Sequence, residues 1–111
     1  MVITNRTQTE ADGLYANALR YHQQGRLAEA VALYRKSLAL RPHFAEAEVN
    51  LGTALQMQGE LYQATLHFQR AIVLNPRLAE AHFNLGNAIA AGRRDPELSY
   101  RAALAIRPTT R

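Results

Sequence analysis

The chain contains no cysteine. That removes a disulfide framework, a thiol nucleophile and any cysteine-based zinc or iron–sulfur site. β-Branched aliphatics are scarce. Valine and isoleucine together supply only 8 of 111 residues, which argues against a sheet-rich core. No apolar run approaches the ~18 residues a membrane-spanning helix needs, so no membrane insertion is expected. The start, Met1-Val2-Ile3-Thr4-Asn5-Arg6, lacks the apolar stretch and cleavage pattern of a secretory signal, and a cytoplasmic location is expected. Lysine is nearly missing as well: of 13 basic residues only Lys36 is not arginine. The basic residues are scattered, with adjacent pairs only at Arg35-Lys36 and Arg93-Arg94. A nucleic-acid surface concentrates them in a stripe with aromatics, so no nucleic-acid partner is expected despite a net charge of +4.

What is present points one way. Alanine and leucine make 35 residues, about a third of the chain, and both favour helix. Hydrophobic residues at 48% and charged residues at 20% are ordinary for a globular chain, and the length suits a single domain. The sequence also repeats itself. Residues 45–54 read AEAEVNLGTA and residues 79–88 read AEAHFNLGNA, an offset of 34. Arg41-Pro42 and Asn75-Pro76 share that offset, as do Gly25-Arg26-Leu27 and Gly59-Glu60-Leu61, and Arg107-Pro108 follows at 32. Three copies emerge, 11–44, 45–78 and 79–108.

Each copy divides into two segments of helical period. In the second, Val49, Leu51, Leu55 and Met57 lie on one segment, and Leu61, Leu66, Phe68, Ile72 and Leu74 on the other. Gly59 interrupts the pattern and Pro76 stops it, because proline lacks an N–H and clashes with the preceding turn. Helices are expected at about 10–24, 28–40, 45–58, 62–74, 79–91 and 96–106. Thr9 with Asp12 is a candidate capping box for the first. Asp95-Pro96 supplies an N-cap followed by proline at the first helical position of the last.

The spacing of small, aromatic and proline positions resembles the tetratricopeptide repeat (TPR) family. Repeat two carries Leu51-Gly52, Leu55, Ala64, Phe68 and Pro76; repeat one carries Leu14, Ala18, Tyr21, Ala30, Tyr34 and Pro42. Repeat three carries Leu85-Gly86, Ile89, Tyr100 and Pro108. The resemblance implies an all-α fold, an α-solenoid of three helix-turn-helix repeats with six helices in a right-handed superhelix. It implies a single domain over 10–108, with 1–9 as an N-terminal extension and 109–111 as a tail. Small residues at Ala18, Gly52 and Gly86 would let the two helices of a repeat cross closely, with Ala30 and Ala64 on the second helix. Tyr34, Phe68 and Tyr100 would fill the space between repeats. There are departures. Asn17 stands where the other copies have Leu51 and Leu85, and its amide is expected to meet a backbone group or the open N-terminal edge. Glu48 and His82 replace a bulky residue, which predicts looser packing. Pro96 replaces a small alanine, and the third repeat is two residues short around Gly92-Arg93-Arg94.

No motif supports catalysis, and neither a cofactor nor a metal is expected. The glycines are isolated, so no phosphate-binding loop exists. His22, His43, His67 and His82 form no His-x-x-x-His or His-Glu-x-x-His pair and are expected to be surface or partly packed. Ser37 aligns with Ala71 and Ala103 and therefore reads as a packing position.

The resemblance implies instead a concave groove lined by the first helix of each pair. The positions so mapped include Tyr15 on the first, Val49, Asn50, Thr53, Gln56 and Met57 on the second, and Phe83, Asn84 and Asn87 on the third. Asn50 and Asn84 are equivalent, and such amides can both donate to and accept from an extended peptide backbone. The pair is similar to the asparagine ladder in the repeat arrays of O-linked N-acetylglucosamine transferases. A clamp for a C-terminal carboxylate is not expected, because Glu80 would repel it. Asp12, Glu46 and Glu80 line the rim in register, which favours a neutral or basic protein or peptide segment, although helix starts favour carboxylates in any case. Three functional readings follow: a non-catalytic interaction module, a self-associating scaffold or piece of a longer array, and a regulatory repeat domain serving a separate enzyme. No polar cap follows Pro108, so Leu98, Tyr100 and Leu104 are expected to form a self-association edge, with a homodimer as the favoured outcome.

Overall fold

A computed structural model describes the backbone of residues 2–94 and the side chains of 6–93. Among the described residues the chain is all-helical, with five helices: α1 (Val2–Gln23), α2 (Leu27–Leu40), α3 (Ala45–Met57), α4 (Leu61–Leu74) and α5 (Ala79–Arg94). The expected sixth helix, 96–106, and with it the closing half of the third repeat, Leu98, Tyr100 and Leu104, lies outside the described residues.

Two boundaries differ from the sequence expectation. Helix α1 begins at Val2 rather than near residue 10, so Thr9 sits within the helix and cannot cap it. No glycine or proline precedes Gly13, and the polar side chains of Arg6, Gln8 and Glu10 are exposed and compatible with helix. Helix α5 runs through Gly92 and Arg93 to Arg94, where a turn was expected. A single glycine inside a helix costs only about 1 kcal/mol, and the next proline is Pro96.

The turns inside the two complete pairs are built alike. Gly25 has φ +77° and Gly59 φ +86°, a left-handed conformation that side chains disfavour. Arg26 N–H donates to Tyr21 O at 2.9 Å, and Glu60 N–H to Leu55 O at 2.8 Å. These are the reversals that end a helix on a left-handed glycine while satisfying its last carbonyls. Between pairs, Pro42 and Pro76 follow the ends of α2 and α4.

The core lies where each second helix crosses the first. Ala18, Ala30, Tyr34, Leu51, Ala54, Ala64, Phe68 and Ala71 are all buried. Gly52 is small because it must be: a Cβ there would lie 2.6 Å from the Phe68 ring. At the equivalent Gly86 no described residue stands within 4 Å, and Tyr100, expected opposite, is outside the described residues. Ser37 is buried, and its hydroxyl donates to Ala11 O at 2.8 Å, tying α2 to α1. Among the described residues the Asn17 side chain bonds to no backbone group; its Oδ1 accepts from Arg20 one turn on.

First helices contact one another across repeats, α1 with α3 and α3 with α5, whereas the backbones of α2 and α4 stay apart and Arg35 reaches across to Gln63. The two layers are therefore unequally spaced. We refer to the more closely spaced layer of first helices as the inner layer and to that of the second helices as the outer layer.

Candidate binding surfaces

The inner surface is built from residues three and four apart, which share one helix face. Tyr15 on α1, Asn50, Thr53 and Met57 on α3, and Phe83, Asn84 and Asn87 on α5 follow that spacing. Hydrogen bonds join the three helices there. Asn50 Nδ2 donates to Tyr15 Oη at 2.7 Å and to Glu46 O at 3.0 Å. Asn84 Nδ2 donates to Thr53 Oγ1 at 3.4 Å, and Thr53 in turn donates to Val49 O at 3.0 Å. The asparagines thus spend donors inside the protein. Their Oδ1 atoms have no protein partner among the described residues and are open to solvent. Asn50, with both N–H groups used, presents a carbonyl acceptor alone, whereas Asn84 keeps one N–H beside its carbonyl.

Tyr15 is half-buried, with its ring 4.7 Å from that of Phe44 and 6.0 Å from that of Tyr34. Its phenol is held above the usual range, chiefly by burial; the Asn50 hydrogen bond works against that shift, and the Glu46 and Glu80 carboxylates add to it. Glu46 and Glu80 therefore act on one place. Asp12, the third carboxylate of the expected row, is engaged by Arg41 at 2.8 Å. Beneath this surface the Tyr34 hydroxyl is linked to His22 Nδ1 at 2.8 Å. Burial, then the neighbouring Tyr15, raises the Tyr34 phenol, and burial lowers the His22 imidazole.

Two large apolar side chains stand out, Met57 at 58% and Phe83 at 70% exposure. Gln56 is half-buried and Asn87 exposed. Val49 does not belong with them. It is 1% exposed and packs in the core, because its side chain points between the helices one position before Asn50.

The sequence reading missed a second surface, between α2 and α4. There a cleft of about 470 Å³ is lined by Arg35, Leu38, Glu48, Leu51, His67 and Arg70, among others. A second hollow of about 310 Å³ shares Pro42, Glu48 and Arg70 with it and continues along Leu66, Val73 and Leu74. At its floor His67 Nδ1 donates to Glu48 Oε1 at 2.7 Å. Glu48 is buried and paired, yet it lines both hollows, and His67 is buried beside it. His82, the counterpart of Glu48 in repeat three, is exposed and lies 2.8 Å from Pro76 O through Nε2. The available signal was columnar: Glu48 and His67 stand 34 residues after Leu14 and Leu33, a polar pair in the place of an apolar one. Among the described residues no group of three or more metal-ligating side chains gathers. No described helix is long and apolar enough to cross a membrane.

The TPR-repeat pattern matches residues 18–59 and 57–91, two overlapping stretches that take in most of the chain. The chain belongs to the tetratricopeptide repeat family. Among solved structures, the first TPR of Spaghetti (RPAP3), bound to the HSP90 peptide SRMEEVD, superposes with a TM-score of 0.75 at 23% identity, over 93% of this chain and 85% of that one. MamA gives a TM-score of 0.75 at 20% identity, over 90% of this chain and 58% of that one. This TPR chain thus spans somewhat more than half the length of MamA. At such identities the likeness establishes the fold alone. No curated protein matches the sequence.

Proposed function

We propose that this TPR chain is a non-catalytic protein-interaction module that holds an extended, neutral or basic segment on the inner surface of α1, α3 and α5. The observation that carries this reading is the exposure of Phe83 and Met57 beside the outward carbonyls of Asn50 and Asn84. Isolated exposed apolar residues are ordinary; two large ones flanking open acceptors on one helix layer fit the side chains and backbone N–H groups of an extended segment. The peptide bound to the TPR of Spaghetti (RPAP3) supports a peptide as the class of partner. Its acidic sequence does not transfer, because Glu46 and Glu80 converge near Tyr15 and repel a carboxylate.

Recovery of partners from a lysate of the source organism, with Phe83→Asp/Asn84→Ala as the comparison, tests the proposal. Both side chains are at least partly exposed, so the double variant should keep its circular dichroism spectrum and melting temperature. A protein retained by the native chain and lost from the variant supports the inner surface. Equal recovery by both moves the site elsewhere.

A further inference from the structure

The cleft between α2 and α4 has opposite chemical character at its floor and its mouth. Glu48 and His67 are 6% and 8% exposed and joined through Oε1 and Nδ1. The second carboxylate oxygen of Glu48 and Nε2 of His67 have no partner among the described residues, yet neither is sealed from solvent. Both residues line the cleft. With one oxygen taken by His67, the floor offers the second carboxylate oxygen of Glu48 as an acceptor.

Arg35 and Arg70 line the same cleft and are exposed. Arg35 uses one N–H on Gln63 Oε1 at 3.3 Å, whereas Arg70 bonds to no described residue. The mouth is therefore a pair of guanidiniums with donors to spare, suited to a carboxylate. Past Arg70 the hollow becomes apolar along Leu66, Val73 and Leu74, with Val73 at 80% exposure. Volumes of about 470 and 310 Å³ lie within the range of small-molecule sites.

Packing alone does not call for this arrangement. Repeat one puts Leu14 and Leu33 at the positions of Glu48 and His67. Exchanging a buried ion pair for aliphatics of similar volume is often neutral or stabilising. A retained polar pair lining an open cleft is instead what a ligand with a donor group needs.

We propose that the cleft binds a free aliphatic α-amino acid. Its ammonium sits on the Glu48 carboxylate, its carboxylate on Arg35 and Arg70, and its side chain along Leu66, Val73 and Leu74. One zwitterion satisfies the acceptor, the donors and the apolar wall together. The site lies on the outer layer, away from the peptide surface proposed above, and stands independently of it.

Titration of the isotopically labelled chain with L-leucine, followed by amide chemical shifts, tests this. Saturable shifts on α2 and α4, at Leu38, His67 and Arg70, are expected, with those at Asn50 and Asn84 unmoved. N-acetyl-leucine lacks the ammonium and leucinamide lacks the carboxylate, and each should bind about tenfold more weakly, the scale of one charge-assisted hydrogen bond. Arg35→Gln/Arg70→Gln changes only exposed side chains and should weaken leucine about tenfold without altering the melting temperature. Val73→Glu should do the same from the apolar end. Absence of α2 and α4 shifts at about 10 mM leucine, enough to occupy even a millimolar site, overturns the proposal. So does equal affinity for leucine and its two blocked forms, or binding undiminished in the double arginine variant.

Discussion

Gly52 and Gly13 carry the same side chain in opposite circumstances. A Cβ on Gly52 would stand 2.6 Å from the ring of Phe68, which is fully buried and has nowhere to turn. Gly52→Ala should therefore destabilise the fold by about 1–3 kcal/mol through overpacking, despite alanine's better helix propensity. Gly13 lies exposed within α1 with no atom in reach, so Gly13→Ala should stabilise by about 0.5–1 kcal/mol. Urea denaturation of the two variants gives both signs in one experiment. Phe68→Ala and Leu51→Ala empty positions buried between helices and should each cost about 2–5 kcal/mol. A loss under about 1 kcal/mol at either would contradict the packing described here.

Two further residue-scale effects come from polar groups beneath the surface. Burial lowers the His22 imidazole below its ordinary value of 6.5, so folding disfavours its charged form. As pH falls below 6.5, the unfolded chain takes up a proton that the folded chain resists. The contribution of His22 is thus fully present above its unfolded value of 6.5 and is lost as pH falls from there through the lower folded pKa. The His22 ring should titrate below 6.5 by NMR, and His22→Gln should flatten the decline of stability as pH falls below 6.5. A midpoint at or above 6.5 would contradict the burial argument. For the Glu48–His67 pair, His67→Leu leaves a carboxylate buried without its partner and should cost about 1–3 kcal/mol. Glu48→Leu added to it should recover most of that loss, since Leu14 and Leu33 already occupy the equivalent positions. A double-mutant cycle by thermal denaturation checks both statements.

At the scale of the element, α2, α3 and α4 were readable because chain punctuation and core agree there. Gly25 and Gly59 fall at the left-handed ends of α1 and α3, and Pro42 and Pro76 follow α2 and α4. Helix α1 was misjudged at its start because nothing marks it: the first twelve residues contain neither glycine nor proline, and their polar character reads equally as an exposed helix or a tail. Helix α5 outran its expected end because Gly92, which reads as a stop, is tolerated inside a helix. The inner-surface residues were legible by repeat register, with Val49 the exception. Its periodicity admits both the inner face and the core, and only the packed pair decides between them. The direction of the asparagine amides was not legible, because Tyr15 and Thr53, which accept from them, lie 35 and 31 residues away on other helices.

At the scale of the whole molecule, the unequal spacing of the two helix layers produces two different surfaces. Close contact of α1, α3 and α5 makes a continuous face on which side chains bridge from helix to helix. The gap between α2 and α4 makes a cleft that no single segment of sequence announces, since its floor joins residues 19 apart on different helices. The central claim concerns the first of these surfaces. The most direct test is amide chemical-shift mapping with the segment of a recovered partner supplied as a synthetic peptide. The account predicts that Tyr15, Asn50, Thr53, Phe83 and Asn84 shift together and saturably, and that an acidic variant of the peptide binds more weakly. Shifts confined to α2 and α4, or an acidic peptide bound more tightly than its neutral form, would contradict it.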